Sequence, residues 1–178
     1  MQIENEVKYN IKNIDEIKKK IESLGFDFIK KTYQEDYYFS PPHKNFAGTK
    51  KYYLRLRNTK NKTEFAYHVV KNNLKTKEWA VFVNNLGGLL KILKLLDFKI
   101  DCIVRKERLI YKKDNIKIML DNVKNLGKFI EIECMGQFGK IERKKFGELI
   151  NLLELKKTQE VFGMGYPDLL MSKTHDKI

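Results

Sequence analysis

The chain of 178 residues contains few cysteines and histidines and no long apolar run. Its two cysteines, Cys102 and Cys134, are far apart and far from any histidine cluster, which excludes a disulfide framework and a zinc site of ordinary spacing. His43, His68 and His175 show no metal-ligand spacing, so we expect free thiols and histidines at the surface or in packing. No apolar stretch approaches the roughly 20 residues of a membrane-spanning helix, and the polar start is unlike a secretory signal. We therefore expect a soluble, cytoplasmic protein.

Positive charge is in excess, with 36 lysines and arginines against 23 acidic residues and a net charge of +13. Such an excess indicates an anionic partner, which could be a nucleic acid, an acidic membrane surface or a highly phosphorylated small molecule. The total charge does not distinguish these partners. What distinguishes them is whether the basic side chains lie on an outer surface or are paired with carboxylates on an inner one. The length fits one domain, which we predict over residues 1–171, with a tail at 172–178 that could be disordered.

Alternating and helical patterns of apolar residues predict eight strands and three helices. The strands are expected at 3–11, 30–39, 51–58, 63–71, 78–83, 100–111, 116–121 and 129–135. The helices are expected at 14–24, 86–96 and 141–155, with a short C-terminal segment at 166–171. Several strands have one apolar and one charged face, and the helices have apolar stripes to cover. These patterns indicate an α+β fold, with helices outside a curved antiparallel sheet or barrel and charged side chains lining its interior.

The first predicted strand carries Glu4, Glu6 and Lys8 at every second position. Side chains alternate between the two faces of a strand, so these charges share one face, with neighbours roughly 7 Å apart. Two carboxylates at this spacing can bend toward one divalent cation, and the lysine can hold an anion beside it. We interpret the row as one wall of a metal and phosphate site. The alternative is an ordinary exposed strand face, because a third of the chain is charged.

Three later strands each carry two side chains of the same charge at alternate positions. These are Arg55 and Arg57, Lys106 and Arg108, and Glu131 and Glu133. Burying such rows inside a barrel is costly unless the charges are paired, hydrated or bound to a ligand. A polar interior therefore predicts that the rows meet one another or meet a bound ion.

Five motifs occur in an order that is specific, although each motif alone is weak. They are Glu4-x-Glu6-x-Lys8, Leu54-Arg55-Leu56-Arg57, Lys71, Lys106-x-Arg108-x-x-Tyr111, and Asp121-x-Val123-x-x-Leu126-Gly127-x-Phe129-x-Glu131-x-Glu133. Together they resemble the CYTH superfamily, the triphosphate tunnel metalloenzymes, which includes class IV adenylyl cyclases and thiamine triphosphatases. The resemblance implies a closed eight-stranded antiparallel β-barrel, a tunnel with a polar interior and helices packed outside.

The resemblance also implies roles for individual residues. The ligands of Mg²⁺ or Mn²⁺ would be Glu4, Glu6, Glu131, Glu133 and, as a further candidate, Asp121. The phosphate-binding residues would be Lys8, Arg55, Arg57, Lys71, Lys106 and Arg108. Tyr38 and Lys71 resemble a pair proposed to activate water in some members of the family. Hard oxygen ligands suit Mg²⁺, and arginine forks match phosphoryl oxygens, so the chemistry agrees with the charge rows.

Other segments bear on the branch of the family. Gln34-x-Asp36-x-Tyr38-Phe39 and Tyr166-x-x-Leu169-Leu170 resemble the branch described as class IV cyclases. The chain departs from the family at Asn72-Asn73, where Gly-Pro is common. It departs again at residues 76–80, where an alternating basic and acidic row is reduced to Glu78 and its neighbours. This altered segment raises the alternative of a degenerate, inactive member.

We predict a divalent-metal-dependent enzyme that hydrolyses the terminal phosphate of ATP, thiamine triphosphate or inorganic triphosphate. The first alternative is a class IV adenylyl cyclase, which converts ATP to cyclic AMP and pyrophosphate. The alternative of another class is a non-catalytic RNA- or polyphosphate-binding barrel. Its stacking surfaces would be Tyr52, Tyr53, Phe65, Tyr67 and Trp79. We expect no membrane partner, disfavour nucleic acid because it leaves the four glutamates without a role, and consider a homodimer because the family often forms dimers.

Overall fold

The computed structural model describes residues 5–40, 42, 52–72, 75–135 and 139–175, without the side chains of 5, 70–72, 75–77, 140–142 and 174–175. The strands are β1 (Asn5–Ile11), β2 (Asp27–Ser40), β3 (Tyr52–Thr59), β4 (Thr63–Asn72), β5 (Lys75–Val83), β6 (Lys99–Lys113), β7 (Ile116–Val123) and β8 (Gly127–Cys134). The helices are α1 (Ile14–Ser23), α2 (Leu86–Leu95), α3 (Lys140–Leu152) and α4 (Tyr166–His175), with a short 3₁₀ helix at Lys157–Gln159. The predicted order of strands and three helices is confirmed. The fourth helix, α4, ends within the segment predicted as a tail.

All eight strands form one antiparallel sheet in the order β1-β8-β7-β6-β2-β3-β4-β5. Strands joined by short turns pair directly, as β3 does with β4 and β6 with β7, whereas the first strand pairs with the last. Within the described residues, β1 and β5 are the two edges of this sheet, and no pairing joins them. The α+β class and the eight antiparallel strands are therefore confirmed, and closure of the sheet into a barrel stays a prediction.

Helix α1 covers one face of the sheet, which we call the outer face. The opposite face, called the inner face, carries the alternating charges of β1, β3, β6 and β8. Asn13 caps its first turn, because its side-chain oxygen accepts hydrogen bonds from the backbone N–H groups of Asp15 (3.0 Å) and Glu16 (3.4 Å). The chain leaves the helix at Gly25, whose φ of 77° is a left-handed conformation that glycine adopts without strain. Ile21 is fully buried in a cluster that includes side chains of β1, β6, β7, β8 and α3. Helix α1 therefore closes the core on this side of the sheet.

Helices α2 and α3 complete the outer cover. Phe146 and Leu149 of α3 join the cluster formed with α1. Leu93 of α2 packs in a separate cluster with Phe39 of β2 and Leu56 of β3. Burying each such side chain stabilises the fold by roughly 1.5–3 kcal/mol. The three helices predicted from the sequence thus lie outside the sheet, as expected. No described helix is long and apolar enough to cross a membrane.

Helix α4 packs instead on the inner face. Its Tyr166 is buried in a cluster with Tyr38, Val104, Val123 and Phe129. Each of these strand residues lies on the same face of its strand as a charged side chain two positions away. The C-terminal segment, for which the sequence predicted no helix, therefore forms a helix on the inner face, because its apolar side chains meet an apolar end of that face.

Candidate active site

The pairing of β1 with β8 places two charge rows from opposite ends of the chain side by side. Glu6 is paired with Glu133, and Lys8 is paired with Glu131, in the antiparallel register. Directly opposed side chains have Cβ atoms about 5 Å apart, so the opposed carboxylates repel unless cations lie close to them. The inner face at β1 and β8 is therefore an acidic surface that requires positive partners.

A cavity of about 420 Å³ lies against this inner face. The predicted site residues on its wall are Glu6, Lys8, Tyr38, Arg55, Arg57, Lys106, Arg108, Glu131 and Glu133. Asp121 is fully buried and is not part of the wall. Glu4 and the side chain of Lys71 lie outside the described residues, although the backbone of Lys71 belongs to β4. Predicted charges from β1, β3, β6 and β8 thus meet at one cavity of a size that suits a small molecule.

Glu131 is the centre of a buried charge cluster on this wall. Lys8 Nζ lies 3.2 Å from Glu131 Oε1 and 3.9 Å from Glu6 Oε1. Arg108 donates a hydrogen bond to the second oxygen of Glu131. Burial alone would raise the pKa of Glu131, but Arg108, Lys8 and Lys106 hold that pKa well below its ordinary value. Glu131 is therefore an ionised carboxylate in a water-poor position.

Glu6 and Lys106 are a carboxyl and an amino group on the wall whose charged forms are disfavoured by their surroundings. Burial and the neighbouring Glu131 raise the pKa of Glu6 to about 7. Burial and the neighbouring Arg108 lower the pKa of Lys106 to about 8. A cation placed beside Glu6 and an anion placed beside Lys106 would each restore the charged form. The wall is therefore suited to bind both kinds of ion.

Asp121 orients Arg108 from behind the wall. Arg108 donates from Nε to Asp121 Oδ1 at 2.6 Å and from Nη2 to Oδ2 at 2.5 Å. The hydroxyl of Tyr166 also donates to Oδ2 at 2.8 Å, and Lys106 Nζ lies 3.6 Å from the same atom. These partners occupy both carboxylate oxygens. The geometry therefore gives Asp121 the role of fixing a guanidinium.

Arg55 and Arg57 are likewise fixed by carboxylates on neighbouring strands. Arg57 donates two hydrogen bonds of 2.7 Å to Asp36 of β2. Arg55 donates from Nη2 to Glu64 at 3.0 Å and to Glu78 at 3.1 Å. Burial would raise the pKa of Asp36, but Arg57 holds it below its ordinary value. Each of the three inner arginines thus has an acidic partner that sets its direction.

Sequence reasoning missed several residues of the wall. Behind the wall, Asp36 binds Arg57; it entered the sequence reasoning only as part of a motif, although it lies on the same strand face as Tyr38 and could have been found by alternation. Lys117, which pairs with Glu133 at 2.5 Å, was also missed. Residues 160–168 line the cavity as well, and the N–H of Val161 donates to the carbonyl of Lys8 at 2.8 Å. No pattern in the sequence marks residues 160–165, because their position follows from the path of the chain after α3.

The aromatic residues considered for stacking on nucleic acid lie on different faces. Tyr53 lies on the cavity wall and stacks on the buried ring of His68, with centroids 4.4 Å apart. Burial, together with Arg55 and Arg57, lowers the pKa of His68 to about 3, so this ring is a neutral packing group. Tyr67 and Trp79 pair with each other on the opposite face of β4 and β5 and are exposed. Tyr52 also contacts Tyr67, with ring centroids 6.2 Å apart, so Tyr52, Tyr67 and Trp79 form one row of rings, and Tyr53 is not part of that row.

The described residues contain no group of three or more histidine, cysteine, aspartate or glutamate side chains arranged as a finished metal site. Cys102 and Cys134 do not form a disulfide bond, as predicted. The carboxylates of the predicted metal set that line the cavity are Glu6, Glu131 and Glu133. They are hard oxygen donors of the kind that Mg²⁺ and Mn²⁺ bind.

Comparisons with known proteins agree with this architecture. A relative from Methanocaldococcus jannaschii, named "Putative adenylate cyclase", is 34% identical over 134 residues, which are 74% of this chain and 76% of the relative. The solved structure of the PH1012 protein from Pyrococcus horikoshii is 30% identical, covers 95% of this chain and 99% of its own, and superposes with a TM-score of 0.80. The PH1819 protein of the same organism is 26% identical over 96% of this chain and 99% of its own, with a TM-score of 0.80.

A more distant solved structure shares the fold alone. It is an adenylyl cyclase homologue from Hippeastrum that is 14% identical, covers 97% of this chain and 96% of its own, and has a TM-score of 0.69. The sequence profile of the CYTH domain matches residues 2–161, which is most of the chain. The resemblance inferred from the five motifs is confirmed, and the chain belongs to the CYTH domain family.

Proposed function

We propose that this protein is a divalent-metal-dependent enzyme that hydrolyses the terminal phosphate of a triphosphate. One observation carries the proposal: basic and acidic side chains from distant strands converge on a single cavity. The basic residues on its wall include Lys8, Arg55, Arg57, Lys106 and Arg108. A triphosphate carries several negative charges along a short chain, and a row of preoriented cations matches it.

The inner arginines are suited to bind phosphoryl oxygens because they are already oriented. Asp36 holds Arg57, and Asp121 holds Arg108, each through two hydrogen bonds. Donors that need no rearrangement can stabilise the charge that develops during phosphoryl transfer. In a site as buried as this one, such donors act more strongly than they would in water.

The carboxylates on the wall fit a divalent cation. Glu6, Glu131 and Glu133 would hold Mg²⁺ or Mn²⁺, and Glu4 would join them. The fit rests on Glu6, whose pKa is raised by burial and by the neighbouring Glu131 and whose charged form a cation would stabilise. A bound cation would supply charge neutralisation for the phosphoryl oxygens. Asp121 is assigned to the orientation of Arg108, because it is fully buried behind the wall and does not line the cavity.

The reaction itself requires alignment more than a covalent nucleophile. Water attacks the terminal phosphorus, the bond to the bridging oxygen breaks, and orthophosphate and a diphosphate product leave. Burial raises the pKa of Tyr38 well above its ordinary value, so the hydroxyl keeps its proton at neutral pH. If Tyr38 acts with Lys71, as the resemblance implies, its part is therefore to orient water and not to deprotonate it.

A class IV adenylyl cyclase is the second candidate, and the name of the Methanocaldococcus jannaschii relative favours it. In that reaction the ribose 3′-hydroxyl attacks the α-phosphorus and pyrophosphate leaves. The same cationic wall would serve both reactions. The Hippeastrum protein, although named as an adenylyl cyclase, is described as having a dominant triphosphatase activity, which supports hydrolysis as a reaction this fold can carry. We favour hydrolysis because it requires fewer specific contacts.

A non-catalytic polyanion-binding role fits the cavity less well. It would give no role to Glu6, Glu131 and Glu133, whose charges oppose the binding of an anion in the absence of a cation. The exposed Tyr67 and Trp79 also lie on the face opposite to the cavity. The geometry therefore supports a metal-assisted enzyme in preference to a stacking surface.

The test is to incubate the purified protein with inorganic triphosphate, thiamine triphosphate and ATP, each with Mg²⁺ or Mn²⁺ and with EDTA. We expect metal-dependent release of orthophosphate from at least one substrate. Cyclic AMP and pyrophosphate from ATP would replace the proposal with the cyclase. Absence of turnover together with tight binding of inorganic triphosphate would replace it with the non-catalytic role.

A further inference from the structure

Tyr166 begins α4, and its ring lies against the charged wall of the cavity. It is 4% exposed, and its ring packs edge-on against Phe129 with centroids 5.1 Å apart. Its ring also lies 4.4 Å from Lys8 Nζ and 4.8 Å from Lys106 Nζ, measured to the ring centroid. A single aromatic ring therefore contacts two of the lysines that line the cavity.

The two lysines come from strands that are not neighbours. Lys8 lies on β1 and Lys106 on β6, with β8 and β7 between them in the sheet. Three strand spacings separate the two backbones by roughly 14 Å along the sheet. Their ammonium groups nevertheless converge on one ring. Because like charges repel and both groups are buried, the negative face of an aromatic ring is a suitable neutral partner for them.

The hydroxyl of Tyr166 adds a link to a third cation. It donates to Asp121 Oδ2, the atom that also accepts from Arg108 Nη2 and lies 3.6 Å from Lys106 Nζ. The ring thus contacts the ammonium groups of Lys8 and Lys106, and the hydroxyl binds the carboxylate that holds Arg108. Nothing else described on α4 makes contacts of this kind with the charged wall.

We propose that Tyr166 is a positioning residue for the phosphate-binding cations: its ring holds the Lys8 and Lys106 ammonium groups at the cavity wall, and its hydroxyl steadies the Asp121–Arg108 pair. The inference rests on the proposed function, because it assumes that these cations bind a triphosphate. It assigns a part of the binding site to the C-terminal helix, whose packing alone would not require a ring beside two lysines. The ring is expected to matter more than the hydroxyl, because Asp121 keeps two hydrogen bonds to Arg108 without it.

Three variants separate positioning from packing. Tyr166→Leu removes the ring, Tyr166→Phe removes only the hydroxyl, and Leu169→Ala is a matched control in the same helix and the same apolar cluster. Binding of inorganic triphosphate is measured by calorimetry, and kcat and KM are measured for the best substrate. Thermal unfolding of each variant measures the loss of packing.

We expect Tyr166→Leu to weaken triphosphate binding at least tenfold and to raise KM by a similar factor. Leu169→Ala should stay within about threefold of the unmodified protein, and Tyr166→Phe should weaken binding less than Tyr166→Leu does. The inference is overturned if Tyr166→Leu and Leu169→Ala weaken binding equally, or if neither does. A protein that binds triphosphate but hydrolyses none would overturn the proposed function alone, since the binding comparison still tests the position of the lysines.

A second substitution keeps the test valid if Tyr166→Leu does not fold. A trifluorinated phenylalanine at position 166 retains the shape of the ring but removes most of the negative charge from its face. Compared with Tyr166→Phe, it should weaken triphosphate binding at least threefold with the same thermal stability. Equal binding by these two proteins would show that the ring acts only as packing.

Discussion

Arg57 and Asp36 face each other across β3 and β2 and share two hydrogen bonds of 2.7 Å. Asp36 is fully buried, and Arg57 lines the cavity. A change at either residue should therefore affect both the stability of the sheet and the position of the Arg57 guanidinium at the cavity. Removing either partner would leave an uncompensated charge in a position with little water.

Asp36→Asn is expected to lower the free energy of unfolding by roughly 3 kcal/mol, because it leaves the Arg57 guanidinium without a counter-charge. Urea denaturation measures the change. Glu107→Gln is the control, since Glu107 makes an exposed ion pair with Lys31 and should contribute less than about 1 kcal/mol. A loss for Asp36→Asn no larger than that of the control would contradict the importance assigned to the buried pair.

The buried ring of His68 predicts a loss of stability in mild acid. Burial, Arg55 and Arg57 lower its pKa to about 3 in the folded protein, whereas the unfolded chain has a value near 6.5. The unfolded state therefore binds a proton that the folded state does not. This difference costs no stability above about pH 6.5. Below that pH, the free energy of unfolding falls by up to about 1.4 kcal/mol per pH unit, until the pH reaches the pKa of the folded state.

His68→Phe keeps a ring against Tyr53 and removes the titration. We expect the stability of this variant, measured by denaturation between pH 4 and 6.5, to fall less steeply than that of the unmodified protein. The carboxylates contribute equally to both proteins, so the difference between the two slopes isolates His68. Parallel slopes would show that His68 is protonated in the folded state.

Glu6→Gln tests the proposed metal set. We expect the Mn²⁺ concentration for half-maximal activity to rise at least tenfold, because a carboxylate ligand becomes a weaker neutral one. Metal-free binding of inorganic triphosphate should be unchanged or tighter, since one negative charge leaves the wall. Glu107→Gln again serves as the control. An unchanged metal requirement in Glu6→Gln would remove this residue from the set.

Trp79→Ala tests the stacking alternative. Trp79 is 58% exposed on the face of the sheet opposite to the cavity, so its loss should change triphosphate turnover by less than about twofold. Single-stranded RNA binding, measured by fluorescence anisotropy at constant salt, should also be unaffected. A large loss of RNA affinity with unchanged turnover would instead assign a nucleic-acid surface to this face.

Strand alternation was enough to predict the inner rows of charge. It places Glu6 and Lys8 on one face of β1, and Arg55 and Arg57 on one face of β3, without knowledge of any contact. The family resemblance implied that these rows meet inside one antiparallel tunnel, which alternation cannot give, and the order of the strands came only from the structure. Neither source predicted which acid fixes which arginine, because the pairs depend on the exact register between neighbouring strands.

The C-terminal part of the site could not be predicted from a local pattern. Tyr166, Leu169 and Leu170 formed a recognisable motif, but their spacing did not reveal whether the helix packs outside or inside the sheet. That choice depends on the apolar end of the inner face, which consists of Tyr38 and residues from other strands. The strand β5 also begins earlier than predicted, at Lys75, because pairing with β4 extends it beyond its apolar residues.

The pairing of the inner charges has a consequence for how a polyanion reaches the cavity. Lys8, Arg55, Arg57 and Arg108 each have an acidic partner on the inner face, so the cavity contributes little to the net charge of +13. The surplus belongs to the rest of the surface, where it attracts anions from a distance and is screened within about 8–10 Å at physiological salt. Added salt should therefore slow the arrival of a triphosphate much more than it speeds its departure.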